Sequence, residues 1–336
     1  MPSEKMPAEA PDFQPRGWLA NTHVQSLMTS GPWRKRHVLH KARAYLARSR
    51  PEVIRAWDGT RLLGLRNRPP GGEARALVIL LHGWEGSVDS NYMLSAAQAL
   101  DEAGFETFRL NFRDHGPTHH LNEGLFHSCR LGEVLDAVAQ VRMQYTQGPV
   151  FLVGFSLGGN FTLRVARAAL DYGFDLTRAI AVSPVIRPLH VLDALETAWP
   201  VYHGYFVYKW RRSLKIKQAL FPRAYDLSGW FQLKRLRAQT EWLVEHMTGF
   251  RSLDDYLEGY SVAGDYLKGL ETSSLIITAA DDPIIPAGDF HDLPKTPALD
   301  IEMLAHGGHC GFIDNWRMRS WIDQRLIGEL CRHLNN

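Results

Sequence analysis

The sequence predicts an α/β fold: a mostly parallel central sheet flanked by helices, with a helical cap inserted between two strands. Three observations support this fold class. Short apolar runs typical of buried strands alternate with amphipathic segments of helical length. The alternation stops between about residues 188 and 271. A Gly-x-Ser-x-Gly turn at residues 154–158 joins one strand directly to the next helix.

The composition is typical of a soluble globular protein. The 336 residues are 45% hydrophobic and 22% charged, and the formal net charge of +2 predicts no general affinity for nucleic acids. Three cysteines argue against a disulfide framework. The beginning of the chain has no signal-peptide pattern, and its longest apolar run, at 76–81, is too short to span a bilayer. We therefore expect a cytoplasmic protein.

Three segments are predicted. Residues 1–50, rich in Arg, Pro and small residues and with little periodicity, are expected to form an N-terminal arm packed on the core. Residues 51–187 and 272–336 are expected to form the core, and residues 188–271 the helical cap. The core begins with a predicted β-hairpin at 52–67, because Asp58 and Gly59 separate two strand-like runs.

The remaining core elements follow from hydrophobic periodicity. The predicted strands are 76–82, 105–112, 149–155, 179–185, 274–280 and 298–304. The predicted helices are 92–104, 130–145, 157–173 and 316–334. Strands that alternate with helices of this length indicate βαβ units and hence parallel pairing.

The predicted cap contains no buried-strand run and many aromatic residues, as in residues 198–210. Its aromatic side chains fit either an ordinary helical core or an apolar wall that shapes a substrate pocket. A basic stretch overlaps the end of this aromatic run and could contact acidic lipid headgroups at a membrane surface. It comprises Lys209, Arg211, Arg212, Lys215 and Lys217.

Ser156 is the candidate nucleophile. It lies between Gly154 and Gly158, after a predicted strand and before a predicted helix. Such a turn is so tight that its neighbours must lack side chains, and it exposes the serine Oγ at the carboxyl end of the strand. The amide of Leu157, the first of the next helix, then points to the same place.

A serine hydroxyl needs a base, and the base needs an acid that holds its tautomer. In a fold of this kind the acid follows the next-to-last strand and the histidine follows the last one. Asp281 and Asp282 occupy the first place, and His306 and His309 the second. Glycines at 307, 308 and 311 favour His309, and the adjacent proline 283 favours Asp282, although the residues alone leave both choices open.

The same histidine pair has no third ligand at metal-binding spacing, so we expect neither a metal nor a cofactor. The transition state needs an oxyanion hole, and its predicted donors are the backbone amides of Leu157 and Trp84. Trp84 belongs to the loop that follows the first buried strand. His82, at the start of that loop, is expected to bond loop backbone.

Several motifs together resemble the YheT-like branch of the α/β-hydrolase superfamily, which includes abhydrolase-domain lipases and esterases. They cover most of the chain in the family's order: FQPRGWLANTHVQSL, LLHGWEGS, LNFRDHG, FHS, VGFSLGGN, DDP and GGHCGF. The resemblance implies an α/β-hydrolase fold and a triad of the turn serine, the Asp of DDP and the His of GGH. These match Ser156, Asp282 and His309. The family's NFRG appears here as NFRD, and the cap matches loosely.

The combined expectation is a serine hydrolase that cleaves carboxylic esters of acyl or lipid-like substrates through an acyl-enzyme. One alternative is an acyltransferase that uses the same triad. Another is a non-catalytic binding protein that keeps the α/β-hydrolase fold. The expected partner is a small-molecule ester, and no nucleic acid is expected. Acyl length, alcohol and oligomeric state are left open at this stage.

Overall fold

The central strands form where the sequence has short apolar runs. In the computed structural model, which describes residues 12–145, 148–197 and 199–334, five of them are buried along their whole length. Burial on both faces is typical of parallel strands covered by helices. The buried strands are β3 (Leu77–Leu81), β4 (Glu106–Leu110), β5 (Val150–Phe155), β6 (Arg178–Val182) and β7 (Ser274–Ala279).

The sheet has eight strands in the order β1-β2-β4-β3-β5-β6-β7-β8. β1 (Arg50–Arg55) and β2 (Arg61–Asn67) form the predicted hairpin and pair antiparallel, and β2 also pairs antiparallel with β4. All other neighbours are parallel, including the edge strand β8 (Leu299–Leu304). The predicted fold class is thereby confirmed.

Four helices flank the sheet. The last one begins at Trp321, five residues later than the sequence predicts, because Ile313 and Ser320 form an antiparallel bridge that keeps the intervening segment out of the helix. The other three helices lie close to their predicted positions, although the third ends earlier. The four are α4 (Asn91–Glu102), α5 (Leu131–Tyr145), α6 (Leu157–Ala168) and α12 (Trp321–Arg332).

The arm is helical. Its helices are α1 (Thr22–Ser30), α2 (Pro32–Lys41) and α3 (Arg43–Ala47). Their buried positions include polar residues, so no apolar period marks them in the sequence. These buried polar residues are Gln25, Ser26, Thr29 and Arg34. Residues 1–11 of the predicted arm lie outside the described residues, as do residues 335 and 336 of the predicted core.

Among the described residues, a 3-10 helix (Gly264–Gly269) and five α-helices lie between β6 and β7, in the segment predicted to be the cap. The α-helices are α7 (Pro188–Thr197), α8 (Pro200–Leu220), α9 (Ser228–Gln232), α10 (Leu236–Met247) and α11 (Leu253–Glu258). Leu214, Leu227 and the fully buried Trp230 form a small core among them. No helix in the described part of the chain is long and apolar enough to cross a lipid bilayer.

A buried ion pair joins α8 to the loop that follows β4. Lys217 has no exposed surface, and its Nζ donates to Asp114 Oδ1 at 2.7 Å and to the Asn122 carbonyl at 2.5 Å. Arg211, in the same basic stretch, donates to the carbonyls of Phe231 and Leu233. Two cations of the basic stretch, Lys217 and Arg211, therefore form hydrogen bonds to other groups of the protein.

Replacing Lys217 by Met should lower the free energy of unfolding by about 3–5 kcal/mol, because the carboxylate of Asp114 would stay buried without its partner. Urea unfolding followed by circular dichroism measures the change. Lys215→Met is the matched control, since Lys215 lies on the same helix but is exposed. If the free energy of unfolding falls no more in Lys217→Met than in Lys215→Met, the ion pair of Lys217 and Asp114 does not stabilise the packing of α8 on the loop after β4.

Candidate active site

Ser156 occupies a strained turn between β5 and α6. Its backbone φ of 56° and ψ of −119° lie in a region that residues with a side chain rarely adopt. The surrounding structure holds this conformation: the Ser156 amide donates to the Val182 carbonyl at 2.9 Å, and the Asn160 amide donates to the Ser156 carbonyl at 3.1 Å. The turn thus fixes the hydroxyl at the carboxyl end of the sheet.

The two glycines of this turn allow backbones to approach closely. A Cβ atom on Gly158 would lie 2.3 Å from the Leu81 carbonyl oxygen and 2.5 Å from that of His82. A Cβ on Gly154 would lie 2.2 Å from the carbonyl oxygen of Gly158. No side chain fits at either position, so α6 can begin directly against the end of β3 only because both residues are glycine.

His309 lies in the loop after β8 and contacts both other predicted triad residues. Its Nε2 is 2.9 Å from Ser156 Oγ, and its Nδ1 is 2.9 Å from Asp282 Oδ2. The imidazole is mostly buried, with 12% of its side chain exposed. The three side chains therefore form one hydrogen-bonded line, although they come from the ends of three different strands.

Asp282 is oriented by the loop after β7. Its Oδ1 accepts hydrogen bonds from the amides of Ile284 at 2.8 Å and Ile285 at 3.0 Å, which leaves Oδ2 for His309. The carboxylate has no exposed surface. Backbone donors on one oxygen and the imidazole on the other fix its position in the absence of solvent.

The second Asp–His pair lies apart from Ser156. Asp281 Oδ1 accepts from the Gly308 amide at 2.9 Å, and its Oδ2 is 3.5 Å from His306 Nδ1. The side chain of His306 is 48% exposed. Asp281 therefore holds the loop that carries His309, whereas His306 faces solvent.

The two predicted oxyanion donors belong to segments that adjoin the serine. Leu157 is the first residue of α6, so its amide has no acceptor within the helix. Trp84 follows Gly83, whose amide donates to the Tyr92 hydroxyl at 2.9 Å. A Cβ on Gly83 would lie 3.1 Å from the Cβ of Ser156, so this loop passes directly beside the serine. Within the described residues, the amides of Leu157 and Trp84 donate to no protein acceptor.

His82 supports the same loop. Its Nδ1 donates to the Gly83 carbonyl at 2.7 Å, and its Nε2 accepts from the Phe112 amide at 3.1 Å. This arrangement needs the neutral imidazole, because a protonated Nε2 cannot accept. Burial lowers the pKa of His82 to about 4, which keeps the ring neutral.

The arm contributes contacts that the sequence did not predict. The hydroxyl of Ser26 accepts from the His309 amide at 2.9 Å. Gln25, which has no exposed surface, donates to the Ile313 carbonyl at 2.9 Å and accepts from the Ile313 amide at 2.8 Å. A Cβ on Gly308 would lie 2.6 Å from Ser26 Oγ. Helix α1 therefore packs tightly against the histidine loop. In the sequence, these contacts were indicated only by the motif FQPRGWLANTHVQSL, which contains Gln25 and Ser26 and resembles the YheT-like branch.

Two pockets meet at Ser156. The first is mainly apolar and extends under the helices between β6 and β7; its lining includes Trp84, Val191, Leu192, Phe206, Leu243 and Val244. The second is more polar and opens toward the arm, and it includes His309. Among the described residues, no group of three or more His, Cys, Asp or Glu side chains is placed to hold a metal ion.

Comparison with known proteins identifies the family. Residues 76–315, more than half of the chain, match the family model of the alpha/beta hydrolase fold. The chain belongs to the α/β-hydrolase fold family. Within this family it is similar to YheT of Escherichia coli (strain K12), named as a candidate esterase, with 25% identity over 288 residues and 81% of each chain covered. Family membership supports hydrolase activity.

Two other α/β hydrolases illustrate the range of similarity. The mouse phospholipase ABHD3 is 26% identical over 269 residues, which cover 74% of this chain and 62% of that protein. The solved structure of the Pyrococcus furiosus esterase Pf2001 superposes with a TM-score of 0.54 at 14% identity, covering 85% of this chain and 91% of that one. The second similarity concerns the fold alone.

The protein should lose stability in mild acid because of His82. Its pKa is about 4 when folded and 6.5 for an unperturbed histidine, so between these values only the unfolded chain takes up the proton. Unfolding is then favoured as the pH falls from 6.5 to about 4. Between pH 7 and pH 5 this histidine should account for a loss of about 2 kcal/mol.

Urea unfolding at both pH values tests this. His82→Gln should remove about 2 kcal/mol of the acid-induced loss, whereas the exposed His40, replaced by Gln, should leave the loss unchanged. Equal acid-induced losses in wild type and His82→Gln would contradict the assignment.

Proposed function

We propose that the protein is a serine hydrolase that cleaves carboxylic esters through an acyl-enzyme intermediate. One observation carries the proposal: Asp282, His309 and Ser156 are joined by two hydrogen bonds of 2.9 Å each. This is the geometry of a nucleophile, its general base and the acid that orients the base. The esterase and phospholipase names of two relatives point to the same substrate class.

In the first half of the reaction, His309 Nε2 takes the proton from Ser156 Oγ, and the oxygen attacks the ester carbonyl carbon. The carbonyl oxygen becomes negatively charged, and the free amides of Trp84 and Leu157 stabilise it. Asp282 stabilises the imidazolium. When the intermediate collapses, the ester C–O bond breaks, His309 gives its proton to the departing alcohol, and the acyl group remains on Ser156.

In the second half, His309 takes a proton from water, and the resulting hydroxide attacks the acyl carbon. The same two amides stabilise the second tetrahedral intermediate. Its collapse releases the carboxylic acid, and the proton on His309 returns to Ser156. No cofactor enters any step. His309 must be neutral at the start of each half, so we expect the rate to fall in acid.

We further propose that residues 188–271 act as a cap over the core of residues 51–187 and 272–336, with residues 1–50 as an arm beside it. The helices of this cap supply most of the apolar pocket that meets Ser156. An apolar cavity of this kind suits the hydrocarbon part of an acyl chain. We therefore infer a substrate with a lipid-like acyl group.

Removing the triad should abolish ester hydrolysis while the fold is kept. Ser156→Ala, His309→Gln and Asp282→Asn should each lower kcat/KM for p-nitrophenyl esters by at least about a thousandfold. A fluorophosphonate probe should label wild type and should not label Ser156→Ala.

The matched control is His306→Gln, because His306 lies three residues from His309 and faces solvent. Its activity should stay within about twofold of wild type. An active Ser156→Ala protein would refute the nucleophile assignment. Transfer of the acyl group to an added alcohol in preference to water would indicate an acyltransferase.

Filling the apolar pocket should shift the acyl preference toward short chains. Val191 lies on α7 and lines this pocket. Val191→Trp should lower kcat/KM for the laurate ester of p-nitrophenol about tenfold or more relative to the acetate ester, because the added ring occupies the space for distal methylenes.

Leu189→Trp is the control, since Leu189 lies on the same helix but is 37% exposed and does not line the pocket. Kinetics over a series from acetate to laurate measure the shift. An unchanged ratio in Val191→Trp would place the acyl chain elsewhere.

A further inference from the structure

The polar pocket at Ser156 is built by several segments that lie far apart in the sequence. α1 and α2 of the arm, the loop after β3, and α8 all contribute to its wall. Its lining includes Ser30, Lys35, Glu85, Tyr205, Lys209 and His309. The arm and α8 also meet directly, where His23 Nδ1 lies 2.9 Å from the Tyr202 hydroxyl. The pocket is therefore a composite site that needs the arm in place.

The position of His309 indicates which part of an ester this pocket receives. In the proposed reaction His309 protonates the departing alcohol, so the alcohol must lie on the side of Ser156 where His309 Nε2 is. His309 lines the polar pocket and does not line the apolar one. The acyl group then points into the apolar pocket, and the alcohol points into the polar pocket.

Two cations face the space assigned to the alcohol. Lys35 is exposed, and Lys209 is half-buried with its Nζ 5.9 Å from the centre of the Tyr205 ring. No ion pair among the described residues uses either lysine. Their ammonium groups remain available to a ligand.

Two acidic residues, Glu85 and Asp89, line the same pocket. Burial raises the pKa of Glu85 to about 8, and the nearby charge of Lys209 opposes this rise. Asp89 is 60% exposed and lies 3.7 Å from the guanidinium of Arg109. Asp89 is thus directed toward Arg109, whereas Lys35 and Lys209 lie beside the position proposed for the leaving group.

We propose that this pocket is the alcohol subsite of the enzyme and that Lys35 and Lys209 select alcohols bearing a carboxylate or phosphate group. The inference rests on the ester hydrolysis proposed above. It assigns to the arm a direct part in substrate choice, through Lys35 and the wall that α1 supplies. Ammonium groups bind such anions by charge-assisted hydrogen bonds.

Matched pairs of esters test the preference. Butyrate esters of p-hydroxybenzoate and p-hydroxybenzamide differ in whether the alcohol carries a carboxylate. Butyrate esters of glycerol phosphate and glycerol differ in whether it carries a phosphate. Wild type should favour the anionic member of at least one pair. The pair that shows this preference identifies the anionic group, carboxylate or phosphate, that the pocket selects. In Lys35→Met/Lys209→Met this preference should fall about tenfold, mainly through KM.

Lys215→Met should keep the full preference, because Lys215 lies on α8 outside the pocket. Added salt should reduce the preference of wild type, since it screens the two ammonium groups. Equal kcat/KM for both members of both pairs in wild type would overturn the proposal. So would a preference that survives in the double variant.

Binding measured without turnover separates this inference from the ester proposal. Ser156→Ala protein is titrated with p-hydroxybenzoate and with glycerol phosphate, and the fluorescence of Trp84, which lines both pockets, reports binding. Suppose that either anion binds only when both lysines are present, and that wild type hydrolyses no ester. This result would support an anion-binding pocket and refute the ester reaction. If wild type hydrolyses esters but binds neither anion and shows no preference for anionic alcohols, the ester reaction is supported and the anion-selective subsite is refuted.

Discussion

The close contact between the start of α6 and the end of β3 is the constraint on which the site depends. β3 and β5 are neighbouring parallel strands, with Leu81 opposite Gly154, so the loop after one lies beside the turn after the other. Gly158 lets the helix touch the carbonyl oxygens of residues 81 and 82. Any side chain there would push Ser156, the proposed nucleophile, away from the amide of Trp84, which is one of the two proposed oxyanion donors.

The histidine reaches this place from three strands away. β8 is separated from β5 by β6 and β7, a distance of about 14 Å across the sheet, so the loop after β8 must cross back over its neighbours. Its path includes positive φ angles at Gly307 and Gly308, and helix α1 packs directly against Gly308. The imidazole is thus positioned by two segments. The loop after β8 brings His309 toward Ser156, and helix α1 of the arm holds the backbone of that loop.

The core strands were predictable because strands buried on both faces appear as short continuous apolar runs. The serine turn was predictable because its glycines follow such a run. The arm helices were not, since polar residues such as Gln25 and Thr29 occupy their buried positions. The last helix was predicted to begin at Trp316, which is 70% exposed in the structure and lies before the helix. The choice between Asp281 and Asp282 could not be decided locally, because it depends on which carboxylate faces the loop after another strand.

The clamp between Gln25 and Ile313 has a consequence for biosynthesis. The two residues are separated by 288 positions, so their hydrogen bonds close one of the longest loops in the chain. A polypeptide emerging from the ribosome exposes α1 early but cannot seat it until the segment around Ile313 has been translated. Until that moment the loop that carries His309 lacks its contact with α1.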